Sequence, residues 1–487
     1  MKYKGMVSSF QRISCRFAST YRHMFEIVNP ATGKSIAEMQ EDYGEDVIRK
    51  FEFLAAGQKK WNLTPVSQRK AAMFRFAELL DLKKVSLARI LTLEMGKPIT
   101  QARNEVRATI DRIQFLTGNV EKVLSEENML QTSRLTEKVT YEPLGVVANI
   151  SAWNYPYFVS ANVFVAALLT GNTVLYKPSE YASLTGQEIT DLLHEAGIPE
   201  DAFMLTTGGG GVGAKVASLK GLGGVFFTGS NKTGLEIAKK AAPNLVKVQL
   251  ELGGKDPAYV RYDVPDVVAA ASTIADGAFY NCGQSCCAVE RVYVDKRIYP
   301  SFVEAFVKNV KSFKVGDPLA ADTYIGPVAR QPQLTVLASQ LLDALEKGAR
   351  AEVGGSLHDN KAHKTGYYFP PTVLTDVNHT MSVMREETFG PLIGIQAVEG
   401  DAEALELMKD TEYGLTASVF CKASSIAEEI LKELDIGTGY WNCCDRVSPR
   451  LPWSGRKGSG LGSTLGMDGL RAFVQPKGIF LQQPHGA

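Results

Sequence analysis

Val146-Val147-Ala148-Asn149-Ile150 and, after an alanine-rich stretch, Thr173-Val174-Leu175-Tyr176-Lys177 decide the fold of this 487-residue chain. Both runs are apolar and rich in β-branched residues without polar alternation, the pattern of strands buried on both faces. No charged residue falls between Glu142 and Lys177. Asn149, Asn154, Pro156 and Asn162 nevertheless interrupt that stretch, so a buried strand followed by a buried helix explains it better than a membrane span. Gly224 to Thr228 and Val246 to Leu250 continue the alternation with helices between them. Strand and helix alternating at this spacing predict a parallel sheet with helices on both faces, a nucleotide-binding architecture.

Upstream, from Phe25 to about Glu121, the pattern reads as helical: Asp46 to Lys60, Ser67 to Leu82, Ser86 to Glu94, and a long amphipathic stretch from Lys97 to near Val123. Downstream, a second α/β unit is predicted. Its strands are Tyr259 to Val260, Val289 to Val294, Leu392 to Gln396 and Ser418 to Cys421, with helices over Pro300 to Lys314 and Gln331 to Gly348. The segment from Met129 to Pro143 alternates like an exposed hairpin, and Gly478 to Gln482 is its expected partner strand. Open edges of that kind are readily completed by another subunit.

With 53 basic and 53 acidic residues, the chain has no global field to gather nucleic acid or anionic lipid. Small molecules and copies of itself are the expected partners. Seven cysteines, odd in number and bunched, fit a reducing compartment better than a disulfide framework. Their spacing does not converge on a zinc ion, so no metal is expected. The first 25 residues carry Arg12, Arg16 and Arg22, several serines and no acid. Met6, Phe10, Ile13 and Phe17 share one helical face there. This is the makeup of a mitochondrial transit peptide over residues 1–24; the alternative is a disordered basic extension on a cytoplasmic protein.

Two motifs carry the chemistry: Leu250-Glu251-Leu252-Gly253-Gly254-Lys255, and Gly283-Gln284-Ser285-Cys286. A thiol beside such a turn can be ionised by main-chain dipoles and attack a carbonyl carbon, and a carboxylate at a glycine-hinged strand end can then activate water against the thioester. The pair points to oxidation of an aldehyde through a covalent intermediate. A literal Gly-x-Gly-x-x-Gly at Gly208, Gly210 and Gly213 lacks the acid expected about 20 residues on and reads as a flexible turn. The better phosphate candidate is Phe227-Thr228-Gly229-Ser230, between a strand and a helix N-terminus.

These motifs, their order and their separation of 35 positions resemble the aldehyde dehydrogenase superfamily. The resemblance runs from about Phe25 to the Gly455–Gly460 run. It implies a Rossmann-type cofactor domain (25–128 and 144–249), an α/β catalytic domain (250–465) and a small β oligomerisation element (129–143 and 466–487), assembled as a homodimer or homotetramer. It implies Cys286 as nucleophile, Glu251 as general base, and Asn154 of Trp153-Asn154-Tyr155-Pro156 holding the oxyanion with the Cys286 amide. Among Cys282, Cys286 and Cys287, it singles out Cys286 by its place two residues after Gln284. NAD would be bound by Trp153, Lys177, Glu180, Gly229, Ser230, Glu387 and Phe389. The Glu180 carboxylate would accept from a ribose hydroxyl and repel a 2′-phosphate, favouring NAD over NADP.

The chain also departs from the family. Ser463-Thr464 stands where many members carry a second acid, leaving Glu251 to work alone. The pocket wall from Asn442 to Arg450 carries Arg446 and Arg450, candidates for an anionic substrate end or simply exposed loop arginines. The expected reaction is NAD-dependent, non-acylating oxidation of an aldehyde. The rivals are an acylating enzyme that hands the thioester to coenzyme A and a catalytically silent protein with the same fold.

Overall fold

The computed structural model describes residues 23–356 and 365–484. The transit-peptide reading falls almost wholly on residues outside that set. The two opening runs are adjacent parallel strands, Val146–Ile150 and Thr173–Lys177, in a six-stranded sheet. Its order is Gly460–Leu461, Lys247–Glu251, Leu222–Thr228, Val146–Ile150, Thr173–Lys177, Phe203–Leu205. Side chains alternate between two cores: Val147, Val174, Tyr176 and Phe226 pack against the Val66–Met95, Ile99–Leu124 and Pro156–Leu169 helices. Val146, Ala148, Ile150, Leu175 and Val225 face the other way. Period-two alternation with both faces buried makes the sheet doubly wound. The connections reverse direction between Val146–Ile150 and Leu222–Thr228, the switch point at which such sheets bind ligands at their carboxyl ends.

A seven-stranded sheet forms the second lobe, with Asp256–Val260, Val289–Asp295, Leu392–Val398 and Thr416–Phe420 at its parallel centre. The expected hairpin is present as Glu127–Gln131 and Leu135–Pro143, and Val474–Gln482 pairs antiparallel with the latter along its whole length. The fold is therefore the mixed α/β architecture anticipated.

Two upstream readings need correction. Ser67 to Leu82 and Ser86 to Glu94 are one 30-residue helix, Val66–Met95. The polar Lys83-Lys84 pair interrupts the apolar pattern only on the exposed side, where Lys83 pairs with Glu195 and Lys84 with Asp81. The helix ends at Gly96, in the left-handed conformation that closes helices (φ 84°). The stretch before Asp46 holds a hairpin, Met24–Asn29 with Lys34–Gln40. Ile27 is its one fully buried apolar residue, so burial left little alternation to read.

Candidate active site

The carboxyl ends of the central strands and the turn bearing Cys286 enclose a cleft of about 440 Å³. All ten residues singled out from the sequence line it: Cys286, Glu251, Asn154, Trp153, Lys177, Glu180, Gly229, Ser230, Glu387 and Phe389. Gly210 and Gly213 line it too. The glycine turn after Phe203–Leu205 is thus more than a connector: it opens the Gly210–Ala217 helix against the cleft.

Cys286 is partly exposed, in a turn between a short 3₁₀ segment, Tyr280–Gly283, and the Val289–Asp295 strand. Three successive residues there are left-handed: Asn281, Cys282 and Gly283, at φ 54°, 59° and 70°. Two non-glycine residues in that region cost free energy and must be held by their surroundings. The holding groups are visible. Asn281 N donates to Gln101 Oε1 at 2.9 Å, and Asn281 Nδ2 donates to the main-chain oxygens of Asn154 (3.2 Å) and Gln284 (3.1 Å). At Gly283 a Cβ would lie 2.3 Å from the Gly390 carbonyl, so only glycine lets the Cys286 turn rest on the Glu387–Pro391 motif.

Asn154 reaches the same turn from the other lobe, its Nδ2 donating to Gln284 O at 3.1 Å. Its main chain is fixed by Lys97 Nζ at 2.7 Å. Lys97 is buried, paired with Glu105, and lies 3.6 Å from the Tyr155 ring centroid. Glu105 Oε1 in turn accepts from Tyr157 N at 2.9 Å. Removing one member of such a buried pair strands a charge, at a cost of about 3–5 kcal/mol.

The ionisable groups around Cys286 are shifted upward by burial and by one another. Cys287 is buried; its hydrogen bond with Cys286, then burial, then the charge of Asp445 push its thiol well up. Asp445 Oδ1 accepts from Cys287 Sγ at 3.0 Å and Ser285 Oγ at 2.9 Å, and burial pushes this carboxyl up to about 6. Burial alone raises Cys282. Glu251 is buried and desolvation pushes its carboxyl well up, against the opposing hydrogen bonds of Thr464 and Gln249.

The cofactor candidates fit a dinucleotide. Ser230 caps the Asn231–Ala241 helix, its hydroxyl accepting from Thr233 N, so free main-chain N–H groups and a positive helix end face the cleft. Lys177 is buried with its Nζ 3.9 Å from Glu180, and burial lowers its pKa. Glu387 lies against Gly253, where a Cβ would meet its carboxylate at 2.1 Å. Burial, then the charge of Glu290, push Glu387 up to about 8. Phe389 packs edge-on to Trp153 with ring centroids 5.6 Å apart.

The chain matches the aldehyde dehydrogenase family over residues 17–479. It belongs to the aldehyde dehydrogenase family. It is 32% identical to lactaldehyde dehydrogenase of Escherichia coli (94% of this chain, 95% of that one) and 34% identical to an aldehyde dehydrogenase of Emericella nidulans (93% and 91%). Among solved structures, betaine aldehyde dehydrogenase of Staphylococcus aureus in complex with NAD+ superposes with a TM-score of 0.91 at 31% identity, over 95% of this chain and 93% of that one. The protein is therefore an oxidoreductase acting on an aldehyde.

Several residues that shape the cleft of this aldehyde dehydrogenase escape a reading by motif. Lys97, Gln101, Glu105 and Asn281 form a polar frame under the Cys286 turn. The signal for Lys97 is its place between Gly96 and Pro98, where a helix must stop and restart. Lys255 and Glu290, paired at 2.8 Å, are another case: Glu290 also accepts from Thr388 N and Phe389 N at 2.8 and 2.9 Å, pinning the Glu387–Phe389 loop to the Leu250–Lys255 motif. Arg446 and Arg450 are exposed and do not line the cleft.

Proposed function

We propose that this chain oxidises an aldehyde to its carboxylic acid with NAD, through a thioester on Cys286. The observation that carries the reading is the convergence of Cys286, Glu251 and Asn154 on one cleft with the cofactor-binding residues. Cys286 attacks the aldehyde carbon. Asn154 Nδ2 and the Cys286 amide hold the oxygen that becomes anionic, as preorganised donors do in acyl-transfer sites. The chemistry that bound NAD would supply is acceptance of the hydride from the thiohemiacetal. Lys177 and Glu180 would hold its adenosine ribose, Gly229 and Ser230 its phosphates, and Glu387 and Phe389 its nicotinamide end, beside Trp153. Glu251 takes a proton from water, the hydroxide adds to the thioester, and the C–S bond breaks to release the acid and the Cys286 thiolate. A base in the cleft beside the thiol favours water over coenzyme A as acceptor. Following NADH absorbance with the purified protein and a panel of aldehydes tests the reading; no turnover with any of them, or turnover only when coenzyme A is added, refutes it.

Glu180 is half-exposed at the cleft mouth, where its carboxylate repels a 2′-phosphate. NAD is therefore preferred over NADP. Glu180→Ser is expected to raise the NADP-to-NAD ratio of kcat/KM by about tenfold, equivalent to about 1.4 kcal/mol; an unchanged ratio removes Glu180 from cofactor selection.

Two further readings belong here. The exposed Glu127–Gln131 and Val474–Gln482 edges are the surfaces through which we propose a homodimer or homotetramer forms, and sedimentation of a purely monomeric protein refutes that. Residues 1 to about 20 are proposed to direct mitochondrial import. A reporter carrying them is expected in mitochondria and one with Arg12→Glu and Arg16→Glu in the cytosol; a wild-type segment that leaves the reporter cytosolic ends the proposal.

A further inference from the structure

The two carboxylate oxygens of Glu251 have different surroundings. Its Oε1 accepts from Gln249 Nε2 at 2.7 Å and from Thr464 Oγ1 at 3.3 Å. Its Oε2 is buried and makes no hydrogen bond among the described residues. An unpartnered carboxylate oxygen in a buried site is costly, and its persistence asks for an explanation in function.

Both donors are themselves fixed. Gln249 lies two residues before Glu251 on the same strand, so the side chains share one face. Thr464 is locked by a reciprocal pair of main-chain bonds with Trp453: Thr464 N to Trp453 O at 2.9 Å and Trp453 N to Thr464 O at 2.7 Å. The main chain of Glu251 is held as firmly. Its carbonyl accepts from Gly229 N at 3.0 Å, and its neighbours across the sheet are Thr228 and Gly460, neither of them charged. The titratable and charged groups that share its cleft are Cys286, Lys177, Glu180, Tyr181, Arg330 and Glu387. Against desolvation, the groups that stabilise the Glu251 anion are the Thr464 hydroxyl, the Gln249 amide and the Thr464 main chain.

We propose that Gln249 and Thr464 are positioning residues for hydrolysis of the thioester: they occupy Oε1 of Glu251, so that Oε2 alone is left to take the proton from the attacking water. The inference rests on Glu251 being the base. It gives a role to the Ser463-Thr464 turn, where the resemblance led us to expect an acid: the Thr464 hydroxyl supplies a donor to Glu251 instead of a second base.

The test is Thr464→Val, which keeps the shape and removes the donor, beside Thr464→Ser, which restores it. Rapid mixing reads the NADH burst, steady-state assays from about pH 6 to about pH 9 read kcat, and intact mass spectrometry reads the fraction of enzyme held as thioester. Thr464→Val should leave the burst intact. Its steady-state rate at neutral pH should fall about tenfold, because losing a donor to the anion raises the pKa of the base by about one unit and moves the acid limb of the profile to higher pH. The thioester should accumulate, and Thr464→Ser should return both readouts toward wild type. A kcat profile and a thioester fraction that superpose on wild type overturn the proposal, as does an equal loss of burst rate and steady-state rate. Glu251→Gln, run in parallel, separates the two levels of inference. If it stalls after the burst while Thr464→Val behaves as wild type, the positioning role alone fails; if it turns over without stalling, the base assignment fails and the proposal with it.

Discussion

Replacing Cys286 with alanine is expected to lower aldehyde oxidation by about four orders of magnitude or more, as loss of a nucleophile does in covalent catalysis, while NAD binding measured at equilibrium survives. The neighbours cannot substitute. Cys282 is buried in a left-handed turn, and burial holds its thiol protonated. Cys287 donates to Asp445, and a thiolate there would face that carboxylate. Cys282→Ala and Cys287→Ala therefore keep substantial turnover. Trapping the acyl-enzyme and mapping the modified cysteine decides the matter, and a thioester on Cys287 overturns the assignment.

Glu251→Gln is expected to lower steady-state turnover by about 100 to 10,000-fold, the range for loss of a general base, yet to leave a burst of NADH approaching one per active site. The reason is the order of events. In the proposed reaction hydride leaves before water attacks, so acylation does not need the base. Because burial holds Glu251 protonated to higher pH than an ordinary carboxyl, the wild-type steady-state rate should rise with pH through the range where this group ionises, and the burst should not share that dependence on Glu251. A mutant that gives no burst places Glu251 before hydride transfer.

How much of this was legible in the sequence depends on how local the cause is. Strands buried on both faces announce themselves as unbroken apolar runs, so Val146–Ile150 and Thr173–Lys177 were readable without any partner. The Met24–Gln40 hairpin lies on the surface with little burial to pattern it, and it was not. Among site residues, those in glycine-bounded motifs were legible because backbone shape and chemistry coincide: Gly283 next to the nucleophile, Gly253 next to the base. Lys97, Glu105 and Asn281 were illegible for the opposite reason. Each acts through a contact more than 50 residues or an entire lobe away, such as Lys97 with Asn154 or Asn281 with Gln101. Only folding brings those partners together.

Glu251 ends a strand of the six-stranded sheet and Asn154 follows another, whereas Cys286 stands before a strand of the seven-stranded sheet. The groups proposed to react are thus divided between two bodies of the chain. Neither body is a portable module: cut apart, one would keep a thiol with no oxyanion donor from Asn154, and the other a base with nothing to deacylate. Shuffling a foreign dinucleotide lobe onto Cys286 would discard two of the three proposed chemical groups along with all of the cofactor site but Glu387 and Phe389. Inheritance of the pair as a unit is therefore a demand of the chemistry itself.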